Sequence, residues 1–502
     1  METISQPRTH QQAYTDFFKR DKDGRLIFCG MDVPKVMSAL TDTKRGEPTY
    51  LVGTQIIEFQ AKAAESALNA SNTRRTYAIK ANSNPAVLQI IRKQGIGAEV
   101  ASVEELKLAL ASGFDAKDIV VDGIGKTREY FELAMDAGVP VINCNDLDEL
   151  QLLNEIAGEK HKRPRVGLRV SPDIIETSGE GGGKISTGDD KSKFGIKLAQ
   201  AEQVYSTAKQ NYPHVDLVGI HCHLGSNIQD KQKFEDGYDK ILGLVEKLHT
   251  QGVTLEYVDM GGGVGVPYTP YGALGLKTSE ADSKLITIEQ YGEILQRQRE
   301  RLNNINPNLE FVSELGRYYV APACLYMCQV RGENVKGEHT HINTTGNMGH
   351  LIRPAIYGSP HVAFPMVERK DAEVYGPNTE AVGNMCESGD KIALNCEGLQ
   401  KQRKGDYLCF PSAGAYNPTM QLPTYNMIGS CSTILVHTDG KAYLTEQPIS
   451  GIEYMRMKAA RGATPDDLSL DKDPRKWENL VITRQPNRVY AAADDTACAL
   501  QA

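Results

Sequence analysis

Lys80 closes the apolar run Tyr77-Ala78-Ile79-Lys80-Ala81-Asn82, which has the pattern of a buried strand and then breaks into small polar residues through Asn84. A lysine at such a point either snorkels to solvent or is used chemically, and the residues that accompany it bear on which. Gly261-Gly262-Gly263 follows the apolar run Leu255–Met260. Three glycines at a strand end let backbone N–H groups approach a phosphate closely, although such a run is also a common tight turn. His221-Cys222-His223 ends another apolar run and leads into Ser226. Histidines at i and i+2 face one side of a strand, so a metal site is conceivable, but the sequence offers no clear third and fourth ligand. An imidazole stacked on a flat cofactor, with the Ser226 hydroxyl on a phosphate, uses the same residues better. Glu314, in Ser313-Glu314-Leu315-Gly316-Arg317, could simply pair with Arg317 or could hold a pyridinium nitrogen protonated. One lysine, one glycine phosphate loop, one stacking histidine and one pyridinium acid together describe a site for pyridoxal 5′-phosphate, with no metal.

The elements that must position these residues are readable as an alternation. Eight short β-branched runs (residues 77–82, 98–101, 118–123, 140–144, 165–170, 217–225, 255–262 and 309–315) are separated by stretches with apolar residues at helical spacing. Eight alternations fit an α/β (β/α)8 barrel of the TIM type better than an open doubly wound sheet, and a barrel places its chemistry at the C-terminal strand ends. After about residue 320 the helical period disappears into strand-like runs between turn-rich segments, which predicts an all-β domain. The expected division is an N-terminal segment, 1–47, contributing to the β domain; the cofactor-binding barrel, 48–320; the β domain, 321–460; and an irregular tail, 461–502, whose Trp477 suggests one docked contact. Two Gly- or Pro-containing stretches, 178–193 and 267–285, read as long loops, the first as a lid or as a surface insertion.

Composition narrows the partners. The 502 residues carry a net charge of −8, with 40% apolar and 24% charged residues. That balance gives no general attraction to nucleic acid or anionic lipid, and no apolar run approaches a membrane span. Ten cysteines at scattered spacing read as reduced thiols of a cytoplasmic protein.

The motifs YAIKAN, ISTG with KFG at 185–195, HLGSNI, GGGVGVPY, ELGR, LIRPAIY at 351–357, CESGD at 386–390, and GAY with YN at 414–426 occur in that order. With them the chain resembles the fold-type III, alanine-racemase-like pyridoxal phosphate decarboxylases, most nearly the branch acting on diaminopimelate. The resemblance implies that Lys80 is the covalent attachment point, that His223 stacks on the ring, and that Glu314 meets the ring nitrogen. It implies phosphate contacts from Ser226, Gly261, Gly262, Gly263, Gly316 and Tyr416. Arg317, Arg353 and Tyr357 match the positions that grip a carboxylate at the far end of the substrate, while Glu387 and Ser388 match those that read the far amino group. Cys386 matches a cysteine supplied across a two-fold interface, so a homodimer with shared sites is expected. Two arginines suited to a second carboxylate favour meso-diaminopimelate as substrate, giving L-lysine and CO₂.

The pattern is not uniform. ELGR stands where the family has EPGR, residues 344–350 read Thr-Thr-Gly-Asn-Met-Gly-His, and Gly181-Gly182-Gly183-Lys184 precedes ISTG. These departures touch the substrate side, as they would in a paralogue acting on a related amino acid of siderophore, polyamine or similar metabolism. Racemisation is the competing reaction class, which Glu314 disfavours. An inactive regulatory protein is the non-enzymatic alternative, which the intact Lys80, His223, Glu314 and Cys386 disfavour.

Overall fold

The computed structural model describes residues 16–42, 46–174, 192–268 and 285–459. Eight strands form the first unit: Thr73–Ala78 (β1), Gly97–Val100 (β2), Ile119–Val121 (β3), Val141–Cys144 (β4), Arg165–Ser171 (β5), Asp216–His221 (β6), Tyr257–Asp259 (β7) and Glu310–Leu315 (β8). Each pairs in parallel with the next, and β8 pairs with β1, so the sheet closes on itself. β2, β3, β4 and β7 are buried along their whole length. Parallel strands covered on both faces need such continuous apolar runs.

Helices start promptly after several strand ends because the chain supplies caps there. Asn84 accepts from the backbone of Ala86 and Val87 ahead of helix Pro85–Lys93. Ser102, Thr127 and Asp146 cap the helices of residues 103–111, 128–137 and 147–159, and Thr287 with Gln290 forms a capping box before Ile288–Leu302. Inside the barrel the Tyr257 ring lies against Gly219, where an added Cβ would come within 2.0 Å of it. Its hydroxyl donates to Asn143 Oδ1 at 3.1 Å, which fills the lower barrel and leaves the C-terminal mouth to polar groups.

The second unit is a nine-stranded sheet whose long central strand, Cys324–Lys336, pairs antiparallel with Thr49–Gly53, His339–Thr344 and Tyr407–Phe410. Thr49–Gly53 also runs parallel to Ser432–Val436. The boundary drawn at residue 48 therefore moves to about residue 53, since the strand preceding the first barrel helix belongs to the second sheet, a pairing too distant in sequence to be read locally. The strands Phe18–Arg20, Leu26–Phe28 and Met31–Asp32 make a small separate sheet. Arg20 ties it to the second unit by donating to the carbonyls of Pro365 and Met366 at 2.6 and 2.9 Å.

No helix among the described residues is long and apolar enough to cross a membrane. Nearly all of the expected lid, nearly all of the second long loop, and the tail fall outside the described residues.

Candidate active site

The strand expected over residues 77–82 ends two residues before Lys80. β1 stops at Ala78, and Lys80 sits on the single 3-10 turn Ile79–Ala81. The turn is fastened to the second unit: Thr419 Oγ1 donates to the Lys80 carbonyl at 2.9 Å, the Tyr416 N–H to the Ala81 carbonyl at 2.9 Å, and Asn82 Nδ2 to the Gly414 carbonyl at 3.1 Å. Lys80 and Tyr416 line an open cleft of about 460 Å³ between the two units.

Strand ends around the barrel surround the Lys80 ammonium with buried charge. Lys80 Nζ donates to Oε2 of Glu99 on β2 at 2.8 Å, and the Glu99 side chain is fully buried. Burial alone would lower the lysine pKa, but Glu99 and Glu314 outweigh it and hold the ammonium above its ordinary value. Burial pushes Glu99 up to about 8, against the pull of Lys80. Further round, His221 at the end of β6 lies 3.2 Å from Asp122 and 3.5 Å from Glu314 on β8. Asp259, at the end of β7, accepts from Asn143 Nδ2 and the Gly261 N–H, both at 3.0 Å; burial, with Glu314 nearby, holds it well above the usual carboxylate range.

The two histidines have different partners. His223 accepts the Gly262 N–H at Nδ1, 3.1 Å away. Burial, with Arg169 and Lys80 close by, pushes it down to about 3, so the ring is neutral, as a ring stacked on an aromatic cofactor should be. The three glycines are required by packing as well as by any ligand: Cβ atoms at Gly261, Gly262 and Gly263 would fall 2.5, 2.3 and 2.6 Å from the carbonyl oxygens of Cys222, Glu314 and Gly225. Because the Gly261 and Gly262 N–H groups serve Asp259 and His223, the loop is less open to a phosphate than its sequence suggests. Gly316 is likewise packed, its missing Cβ only 3.0 Å from that of Ala78.

On the other side Arg317, 4% exposed, donates to Ser226 Oγ at 2.8 Å and to the Tyr268 hydroxyl, and its guanidinium lies 4.9 Å from the Tyr416 ring centre. Arg353, 1% exposed, packs between the rings of Tyr268 and Tyr357 at 5.5 and 5.4 Å, and burial lowers it to about 10. Tyr268 thus joins the two arginines. His350, next to this wall in sequence, turns into the second sheet: its ring nitrogens lie 3.4 Å from the Tyr326 hydroxyl and 3.2 Å from the Gly429 carbonyl.

Cys386, Glu387 and Ser388 are exposed. The Cys386 N–H donates to Asn426 Oδ1 at 2.6 Å, while Glu387 accepts from the Tyr425 and Ser388 hydroxyls at 3.2 Å each. These bonds stay within the second unit, and among the described residues no hydrogen bond or ion pair joins the three to Lys80.

The residue set suits pyridoxal 5′-phosphate. Lys80 opens on a cleft, the neutral His223 adjoins it electrostatically, and Glu314 keeps a buried Oε1 with no hydrogen-bond partner among the described residues. Glu99, Asp122, Arg169 and Asp259 are given no role by the sequence, nor is Tyr268, although it closes the GGGVGVPY motif. Four of them are single charges set in apolar strand runs, and that interruption was the available signal.

A family model described as the pyridoxal-binding domain of pyridoxal-dependent decarboxylases matches residues 54–321. Diaminopimelate decarboxylase of Aquifex aeolicus is 31% identical over 83% of this chain and 91% of its own length; that of Pseudomonas fluorescens is 34% identical over 80% and 90%. Among solved structures, diaminopimelate decarboxylase from M. jannaschii in co-complex with L-lysine has a TM-score of 0.79 at 26% identity, covering 90% of this chain and 99% of that one.

Proposed function

The chain belongs to the pyridoxal-dependent decarboxylases, and on that premise we propose that it converts meso-diaminopimelate to L-lysine and CO₂ with pyridoxal 5′-phosphate held covalently at Lys80. The observation that carries the substrate is the pair of buried guanidiniums, Arg317 and Arg353, joined through Tyr268 beside the Lys80–Tyr416 cleft. Forked, permanently charged donors suit a second carboxylate, which meso-diaminopimelate has and a simple diamine precursor lacks.

Bound at this site, pyridoxal 5′-phosphate supplies the sink for the electron pair left when CO₂ departs. The chain's own residues do the rest. Glu99 is placed to take the proton that Lys80 must shed before its amine can react. Glu314 would hold a proton at the ring nitrogen, the neutral His223 would pack on the ring, and Ser226, Gly261 to Gly263, Gly316 and Tyr416 would hold the phosphate. Arg317, Arg353 and Tyr357 hold the far carboxylate and so fix which end of the substrate reaches Lys80.

The exposed Cys386, Glu387 and Ser388 are read as entering the site of a second protomer, Cys386 near the reacting carbon and the other two at the far amino group. The protein is then a homodimer with two shared sites. Nine described cysteines without a disulfide support a cytoplasmic setting. Assaying CO₂ release over a panel of amino acids tests the substrate assignment: turnover must require the far carboxylate, and equal turnover of L-ornithine or L-arginine overturns it.

A further inference from the structure

We propose that His221 is a positioning residue whose imidazolium, clamped between Asp122 and Glu314, keeps Glu314 ionised and directs its second oxygen to the cofactor's ring nitrogen. The inference rests on the cofactor reading above. Asp122 follows β3, His221 ends β6 and Glu314 lies on β8, so three separate strands bring the groups together. His221 Nδ1 lies 3.2 Å from Asp122 Oδ1 and Nε2 lies 3.5 Å from Glu314 Oε2, with the histidine wholly buried. Both ring nitrogens face carboxylate oxygens at ion-pair distance, outside hydrogen-bond geometry; a doubly protonated ring meets both anions with positive charge, whereas a neutral ring would set a lone pair against one of them. Asp122 is held from its other side by Arg169, 3.5 Å away, whose guanidinium stacks on Phe194 at 4.3 Å. The row Arg169, Asp122, His221, Glu314 therefore alternates in sign, and its end at Glu314, where Asp259 also adjoins, keeps a buried Oε1 outside hydrogen-bond geometry, as Asp122 keeps its Oδ1.

The electrostatics agree. Burial would lower the His221 pKa, but Asp122 and Glu314 overcome it and raise it to about 10. Burial would raise Glu314, and His221 overcomes that to bring it below its usual value. Asp259 and Lys80 also face Glu314; without the imidazolium Glu314 would meet the carboxyls of Asp122 and Asp259 across a dry gap, and one of them would take up a proton. A protonated Glu314 could no longer hold a proton on the ring nitrogen. The same three residues lie within 4.8 Å of one another and could offer ligands to a divalent cation, but a cation there would consume Glu314 and displace the proton that joins the pair.

The test uses holoenzyme loaded with ring-¹⁵N-labelled cofactor, with the ring-nitrogen shift followed against pH in the parent, His221→Gln and Asp122→Asn. The expected result is a ring nitrogen that loses its proton at lower pH in His221→Gln, its acid constant rising at least about tenfold. kcat should fall about tenfold with KM within about threefold, and Asp122→Asn should shift both in the same direction by less. If His221→Gln does not fold, Asp122→Asn, which keeps the imidazole, carries the test. Variants that titrate like a loaded parent overturn the inference alone; a parent that binds no cofactor overturns the underlying reading. A stoichiometric metal that is lost in His221→Gln also overturns it.

Discussion

Lys80 Nζ lies 2.8 Å from Oε2 of Glu99, a carboxylate with no exposed surface. This pairing stabilises the charged lysine, and a charged lysine cannot attach a cofactor. Replacing Glu99 by Gln leaves the ammonium without its main counter-charge, so the neutral amine should be reached at lower pH. In reconstitution of the apoprotein with pyridoxal 5′-phosphate, the pH midpoint for appearance of the covalent chromophore should fall by at least about one unit.

The buried histidines set opposite stability slopes. His221 is raised to about 10 from an ordinary 6.5, so the folded apoprotein binds more protons than the unfolded chain between those values. Its contribution is fully present below pH 6.5 and is lost as pH rises toward 10. His223, lowered to about 3 from 6.5, instead contributes a gain as pH rises through that interval, complete above 6.5. Denaturant unfolding of the apoprotein should therefore lose stability between neutral and alkaline pH, with a smaller loss in His221→Gln.

The arginine wall should act on binding. Arg353→Lys removes the planar fork while keeping a charge, and the KM for meso-diaminopimelate should rise about 10- to 100-fold with a smaller change in kcat. Arg317→Lys should have a broader effect, because Arg317 also donates to Ser226, which is proposed to hold the phosphate. Steady-state kinetics with both variants separates the two roles.

The proposed shared sites make a quantitative demand on mixed protein. Lys80→Ala and Cys386→Ala homodimers should each be nearly inactive, yet unfolding and refolding them together should restore about one quarter of parental activity. Half of the random dimers then hold one intact site of two. A mixture that stays inactive contradicts the assignment of Cys386 to the partner's site.

The barrel was legible because buried parallel strands are written as short continuous apolar runs, and Lys80, His223, the three glycines and Glu314 stand where those runs stop. What stayed hidden depends on closure of the sheet. Asp122, Arg169 and His221 lie in separate strand regions, and only the barrel makes them neighbours of Glu314. The placement of Thr49–Gly53 was hidden for a related reason: its partners lie beyond residue 320, and no local pattern records them. Glycine, too, was read only in part, since Gly261 to Gly263 answer to neighbouring backbone as much as to a ligand. The alternation of strand and helix carried the fold, and the cross-barrel electrostatics required coordinates.

The most direct test of the account is product analysis of the loaded enzyme with meso-diaminopimelate, run beside Lys80→Ala. The account predicts CO₂ and L-lysine in equal amounts from the parent, a pyridoxyl group on Lys80 after borohydride reduction, and a loss of about 10³-fold or more in the variant. Absence of CO₂ from meso-diaminopimelate, with CO₂ released from another amino acid or with activity retained by Lys80→Ala, would contradict it.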